Sequence, residues 1–156
     1  MSGLHCRVNS IDPALVELAN RTISAFRAYL DDDLSIRLSR VGCHNNLMGY
    51  CAIISDLFKE LALHHGYPVD YMCGSFSTSR HSNRANHCWN TYGNYIIDLS
   101  AKQLLFKQDL VVVDSPHAWY YPLSCDIDSS WGTQNPMHYE QELSDLHSYI
   151  QETYYE

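Results

Sequence analysis

The stretch Gly49-Tyr50-Cys51-Ala52-Ile53-Ile54-Ser55-Asp56-Leu57-Phe58-Lys59-Glu60-Leu61-Ala62-Leu63-His64-His65-Gly66 decides the fold. Ile53, Ile54, Leu57, Phe58, Leu61 and Ala62 recur at helical spacing as one apolar stripe, so the segment from about Gly49 to His65 reads as an amphipathic helix. Gly66 stands where such a helix stops. This reading places Cys51 in the first helical turn, where the helix dipole and unpaired backbone N–H groups stabilise a thiolate and lower the thiol pKa. The same N–H groups can donate to a developing oxyanion.

Before this helix, residues Asp12 to Tyr29 read as another. Asp12 is an N-cap candidate, Pro13 takes the first helical position, and Leu15, Leu18, Ala19, Thr22, Phe26 and Tyr29 fall at helical spacing; Asp31-Asp32-Asp33 ends it. After it come extended runs: Val69–Cys73, His87–Tyr92, a turn at Gly93-Asn94, then Tyr95–Leu99. Leu110–Val113 is a further strand candidate. Met137–Tyr155 reads as a closing amphipathic helix with Tyr139, Leu143, Leu146 and Ile150 inward. Helices first and strands afterwards predict an α+β domain in which the Cys51 helix packs on a small antiparallel sheet.

On those elements one arrangement of reactive groups separates from the rest. His87 opens the first strand of the predicted hairpin and Asp98 lies near the end of the second, a placement that can bring both side chains to one side of the sheet. A Cys51 thiolate that attacks a carbonyl needs an imidazole to take and return a proton. A carboxylate then fixes the imidazole's tautomer and stabilises its cation. Ordinary roles also fit these residues: a buried cysteine acting as a small hydrophobe, a strand histidine bonded to a carbonyl, and a carboxylate capping the turn at Ser100-Ala101-Lys102. The three residues stand or fall together.

Two blocks resemble the transglutaminase-like cysteine enzymes. Gly49–Ala62 followed by His65-Gly66-Tyr67-Pro68-Val69 is similar to the nucleophile helix of that superfamily and its lead into the first strand. Asn86-His87-Cys88-Trp89-Asn90 through Tyr95-Ile96-Ile97-Asp98-Leu99-Ser100 is similar to its His-x-Trp…Asp hairpin. The resemblance spans residues 42 to 105 and implies a papain-like fold, a Cys51–His87–Asp98 triad, no metal or other cofactor, and acyl transfer through a thioester. Peptide or isopeptide hydrolysis, glutamine deamidation, transamidation and acetyl transfer all fall within it. The chain departs from the pattern at Ala52, where many members carry Trp, and it lacks the length for the extra domains of animal-type crosslinking enzymes.

An oxyanion donor is sought ahead of the helix. Candidates are the Cys51 N–H and the side-chain amides of Asn45 and Asn46, with His44 and Tyr50 as alternatives; loop polarity or core filling is the ordinary role of each. Trp89 shares a strand face with His87 and either walls the site or fills the core. Cys88 alternates with His87 and is expected on the opposite face, outside the reactive group. Cys6, Cys43, Cys73 and Cys125 read as packing thiols. Ser75–Asn86 reads as a polar loop, either a substrate-facing flap carrying Arg80 and Arg84 or plain solvent loop. Pro116–Pro122 and Trp131 form an aromatic-rich stretch that lines a groove or packs on the sheet.

The whole chain bounds these readings. At 156 residues it has room for one domain, residues 1–156. Ten Lys and Arg against eighteen Asp and Glu give a formal charge of −8, which disfavours a nucleic-acid partner, because phosphate contacts come mainly from Lys and Arg. From Gln108 to Glu156 there are nine acidic residues and no Lys or Arg, so this third carries the excess, as a solvated face or as a surface for a basic partner. No window approaches the ~20 apolar residues of a membrane span and no signal peptide is visible, so no membrane partner is expected. Synthesis in the cytosol with reduced thiols follows, compatible with a bacterial effector or toxin that is exported or injected without a signal peptide, or with a peptide-processing enzyme. Six Cys and nine His raise a metal centre as a competing class, but C-x-x-C, H-E-x-x-H and zinc-finger spacings are all missing. A transglutaminase-like fold kept as a non-catalytic binding module is the other alternative, disfavoured by the intact Cys51, His87 and Asp98. A protein or peptide is the expected substrate.

Overall fold

The computed structural model describes residues 11–31, 50–77, 85–104, 108–122 and Ser148. Helix α1 spans Pro13–Asp31, and Asp12 caps it as expected, its Oδ1 accepting the Ala14 N–H at 2.9 Å. Every residue predicted to face inward on α1 is buried, joined by Ile23, Ala25 and Leu30. Helix α2 spans Cys51–His64. Its end is a Schellman turn: Gly66 takes φ +90°, its N–H bonds the Leu63 carbonyl at 3.0 Å, and the Tyr67 N–H reaches the Ala62 carbonyl at 2.8 Å. The Tyr67 hydroxyl then donates to Asp12 Oδ2 at 2.7 Å, so one aspartate both caps α1 and ties it to the chain leaving α2.

The five strands are β1 Asp70–Phe76, β2 Ala85–Tyr92, β3 Tyr95–Asp98, β4 Val111–Asp114 and β5 Tyr120–Pro122. They form a curled antiparallel sheet in the order β4-β3-β2-β1-β5. The architecture of the described residues is therefore α+β, with α1 and α2 ahead of the sheet in the chain. The hairpin turn falls at Gly93-Asn94, with Tyr92 opposite Tyr95 and Gly93 at φ +59°.

Two expectations change. Ser75, Phe76, Ala85 and Asn86, read as loop, belong to strands: Ser75 pairs Asn86 and Phe76 pairs Ala85, so the β1–β2 ladder runs the full length of β1. The aromatic stretch yields a fifth strand, Tyr120–Pro122, which pairs Gly74–Phe76 on the outer edge of β1. The predicted helix over 137–155 lies outside the described residues except for Ser148. Among the described residues no helix is long and apolar enough to cross a membrane.

Alternation along the strands divides the core. Ile97, Leu99 and Val112 join Phe26, Tyr50, Ile53, Leu57, Phe58 and Leu61 in the cluster between sheet and helices. Ile96, Val111 and Val113 point the other way and pack with Phe76, Trp89 and Tyr120. Asn90 pins α2 to the sheet, its buried side-chain amide donating to the Ser55 carbonyl at 2.9 Å and to the Asp70 carbonyl at 3.2 Å. At the acidic end, Asp109 accepts from Arg27 of α1 at 2.7 Å, and the paired guanidinium holds its carboxyl below the usual range. That carboxylate is engaged within the chain.

Gly74 is where β5 and the second core meet. A Cβ there would sit 2.2 Å from the Tyr121 carbonyl oxygen, 2.8 Å from the Trp89 ring and 2.9 Å from the Pro122 Cα. Only a residue without a side chain lets β5 approach while Trp89 lies over β1. Gly74→Ala is expected to lose ~1–3 kcal/mol or more, as overpacking against rigid backbone does. Chemical denaturation read by tryptophan fluorescence measures it; an unchanged midpoint contradicts the packing described.

Candidate active site

Asp98 ends β3 one residue after Ile97, which pairs Asn90, so its side chain lies on the face of Trp89 and His87. His87 Nε2 stands 2.8 Å from Asp98 Oδ2, and both side chains are fully buried. A buried carboxylate is costly unless its lone pairs are used. Here the Tyr120 hydroxyl also donates to Oδ2 at 2.8 Å, while the Ser100 N–H at 3.1 Å and the Ser100 hydroxyl at 3.4 Å hold Oδ1. The Ser100 contacts come from the turn that follows the strand. Tyr120 comes from β5, two strands beyond the hairpin, and reaches Asp98 only because the sheet curls.

Cys51 opens α2 with its thiol buried. Tyr50, at the N-cap position, makes no side-chain capping bond, and the first turn carries no acid, so the positive end of the helix is not neutralised there. The thiol takes hydrogen bonds from the Cys88 thiol, from His87 and from the Cys88 backbone N–H. That N–H explains the position. In a strand, backbone N–H groups point sideways to the neighbouring strands, and alternate residues point to the same side. Tyr92 and Asn90 face β3, so Cys88 faces the same side, where the ladder with β3 has already stopped at Asn90–Ile97. Cys51 occupies the unpaired edge.

Cys88 therefore requires correction. Alternation does send its side chain away from the His87 face, into a cluster with Cys51, Ala52, Cys73 and Tyr71. The exclusion from the reactive group fails, because Cys51 stands at the strand edge, where residues of both faces reach it. Cys73 sits directly opposite Cys88 across the β1–β2 ladder, and the Tyr71 hydroxyl donates to Cys88 Sγ at 3.3 Å.

The electrostatics follow from these contacts. The hydrogen bond from Cys88 and then the His87 imidazolium hold the Cys51 thiol well below its ordinary value, against the opposing effect of burial. Cys88 is pushed far up by its bond to Cys51, so the two neighbouring thiols carry one charge and Cys51 holds it. Burial pulls His87 down, but the Asp98 carboxylate, with Cys51 on the other side, outweighs it and lifts the imidazole to about 10. Burial and the Asp98 charge push Tyr120 well above 10, which keeps it a hydrogen-bond donor. These contacts together favour a thiolate beside an imidazolium, with the Asp98 carboxyl against the ring.

Among the other predicted site residues, Trp89 stacks on His87 with ring centroids 6.1 Å apart and meets the Tyr120 ring edge-on at 5.1 Å. It walls the imidazole and fills the second core at once. The Tyr50 ring is buried edge-on against Phe26 in the main core, 5.4 Å between centroids. That is a packing position. Asn45, Asn46 and His44 lie outside the described residues, as do Arg80, Arg84 and Trp131. Among the described residues no group of three or more His, Cys, Asp or Glu is arranged to hold a metal ion. Sequence reasoning missed Tyr120 as an Asp98 partner; the ordinary role it allowed Asp98, capping the turn at Ser100, is filled by Oδ1 while Oδ2 meets His87.

Comparison with protein-family models, curated proteins and solved structures finds no match for the chain.

Because Asp98 is what lifts His87, removing its charge lowers the imidazole. Nuclear magnetic resonance titration of the His87 ring is expected to give a midpoint near 10 in the native protein, falling toward the ordinary ~6.5 in Asp98→Asn. With its folded value raised, His87 adds stability that is fully present below about pH 6.5 and is lost as pH rises through about 10. Equal titrations in the two proteins contradict the ion-paired histidine.

Proposed function

We propose that the chain is a cysteine-dependent acyl-transfer enzyme of the transglutaminase-like, papain-like class, acting through a thioester on Cys51. The observation that carries this reading is the continuous buried line from Cys51 through His87 to Asp98, anchored by 2.8 Å contacts to Asp98 from both His87 and Tyr120. The same three residues are those the two sequence blocks assign to the triad.

In this mechanism the Cys51 thiolate adds to a carbonyl carbon, and the electron pair moves to oxygen. First-turn N–H groups of α2 point toward the developing oxyanion and stabilise it with the helix dipole. His87, already protonated, gives its proton to the leaving amine as the tetrahedral intermediate collapses to a thioester. The neutral imidazole then takes a proton from the incoming water or amine, and a second collapse returns the thiolate. Asp98 stays ionised throughout and holds the ring by Nε2, leaving Nδ1 for the thiol side. Trp89 keeps solvent from the imidazole.

The substrate class is a protein or peptide carbonyl. Cys51 is only 1% exposed, so the acyl group reaches sulfur through an opening of the side chains around it. The choice between hydrolysis, deamidation and transamidation rests on whether water or an amine meets the thioester.

An activated thioester of a short acyl chain tests the reading without knowledge of the natural substrate. Mass spectrometry is expected to find one acyl group on Cys51, none in Cys51→Ala, and a much slower acylation and deacylation in His87→Ala. Adding hydroxylamine then reports the acceptor, as hydroxamate or free acid. Acylation spread over the other cysteines, or unaffected by His87→Ala, contradicts the proposal.

A further inference from the structure

The acyl-transfer mechanism asks of the Cys88 sulfur only a hydrogen bond that favours the Cys51 thiolate. A serine hydroxyl would supply the same bond. Yet the Cys88 thiol is in hydrogen-bond contact with the Cys51 sulfur, is buried, and is held on its other side by the Tyr71 hydroxyl at 3.3 Å. Cys51, Cys73 and Cys88 are reduced and packed in one cluster. Two hydrogen-bonded thiols whose surroundings favour the thiolate at Cys51 and the thiol at Cys88 are an unequal pair whose chemistry toward oxidants is ordered.

We infer that Cys51 and Cys88 form a reversible, peroxide-driven disulfide that caps the nucleophile. The oxidant is a hydroperoxide. The Cys51 thiolate attacks its outer oxygen, the O–O bond breaks, Cys51 becomes a sulfenic acid, and the departing hydroxide or alkoxide takes the proton of the His87 imidazolium. The Cys88 sulfur then attacks the Cys51 sulfur. The S–OH bond breaks, and the hydroxide leaves with the Cys88 proton as water. Overall, two thiols and one hydroperoxide give a disulfide, water and an alcohol, or two waters where the oxidant is hydrogen peroxide. Two equivalents of an external thiol reverse it.

The order of attack follows from the charge distribution. Thiolates react with peroxides and thiols do so poorly, and it is Cys51 whose thiol is lowered and Cys88 whose thiol is raised. Once Cys51 is a sulfenic acid, its charge is gone and with it the largest influence that raised Cys88, burial being the chief one remaining against ionisation. Cys88 therefore attacks as its proton passes to the departing hydroxide. Cys73 is set apart by position: it faces Cys88 across the ladder, while Cys88 carries the hydrogen bond to Cys51. The disulfide protects Cys51 from irreversible oxidation and switches acyl transfer off.

The inference shares the Cys51 thiolate and the His87 imidazolium with the proposed function, and needs no acyl-transfer step. The reduced full chain is treated with hydrogen peroxide, its remaining thiols are blocked by alkylation before denaturation, and peptides are mapped without reductant. The expected product is a Cys51–Cys88 linked peptide, loss of Cys51 alkylation, and recovery of both thiols with dithiothreitol. In Cys88→Ala, dimedone is expected to trap Cys51 sulfenic acid that the native protein does not accumulate, and Cys73→Ala is expected to bridge normally. A Cys73–Cys88 bridge, or Cys51 oxidised without a bridge in the native protein, overturns the inference. A protein that takes an acyl group on Cys51 but never forms the bridge overturns this inference alone; one that forms the bridge but takes no acyl group overturns only the acyl-transfer reading.

Discussion

A carboxylate with no exposure to solvent organises this molecule. Its burial is met by four contacts from three residues around the two Asp98 oxygens: His87, Tyr120 and both the N–H and hydroxyl of Ser100. Each contact requires a different part of the fold to be in place. β3 must end where it does for Ser100 to turn back, the sheet must curl for Tyr120 to arrive from β5, and β2 must hold His87 on the same face. Losing one of them leaves a buried charge partly unmet, which costs more than the bond itself contributed.

Around that ion the two layers divide the work. The face toward α1 and α2 packs aliphatic and aromatic side chains of both helices, with Asn90 tying α2 to the sheet. The other face is aromatic, with Phe76, Trp89 and Tyr120 packed about His87, and Gly74 makes room for them. Cys51 stands where the layers meet, beyond the end of the β2–β3 ladder. A helix N-terminus, a free strand N–H and an imidazolium thus converge on one sulfur, and all three favour its charged form.

Much of this was legible in the chain, for identifiable reasons. The 3.6-residue stripe of α2, the Asp12 cap, the Gly66 stop and the Gly93-Asn94 turn are local signals, and each element forms within a residue or two of where they place it. His87 and Asp98 were found because a hairpin carries its register in its own sequence. β5 was not, because three residues bear no period and Tyr120 gains its place from a distant partner, β1. The sequence reading stops β1 at Cys73 and starts a loop at Ser75 because the intervening Gly74, needed for close approach, looks the same as a glycine needed for a turn. Cys88 was assigned its correct face and the wrong consequence, since strand alternation describes the middle of a sheet and Cys51 sits at an edge.

The central claim is that Cys51 rests as a thiolate paired with a protonated His87. The ultraviolet absorbance of the thiolate, followed as pH is lowered in the native protein and in Cys51→Ala, tests it most directly. The account predicts a signal belonging to Cys51 that persists well below the ordinary thiol range of ~8.5 and disappears in the variant. A Cys51 signal that emerges only near that ordinary value contradicts it.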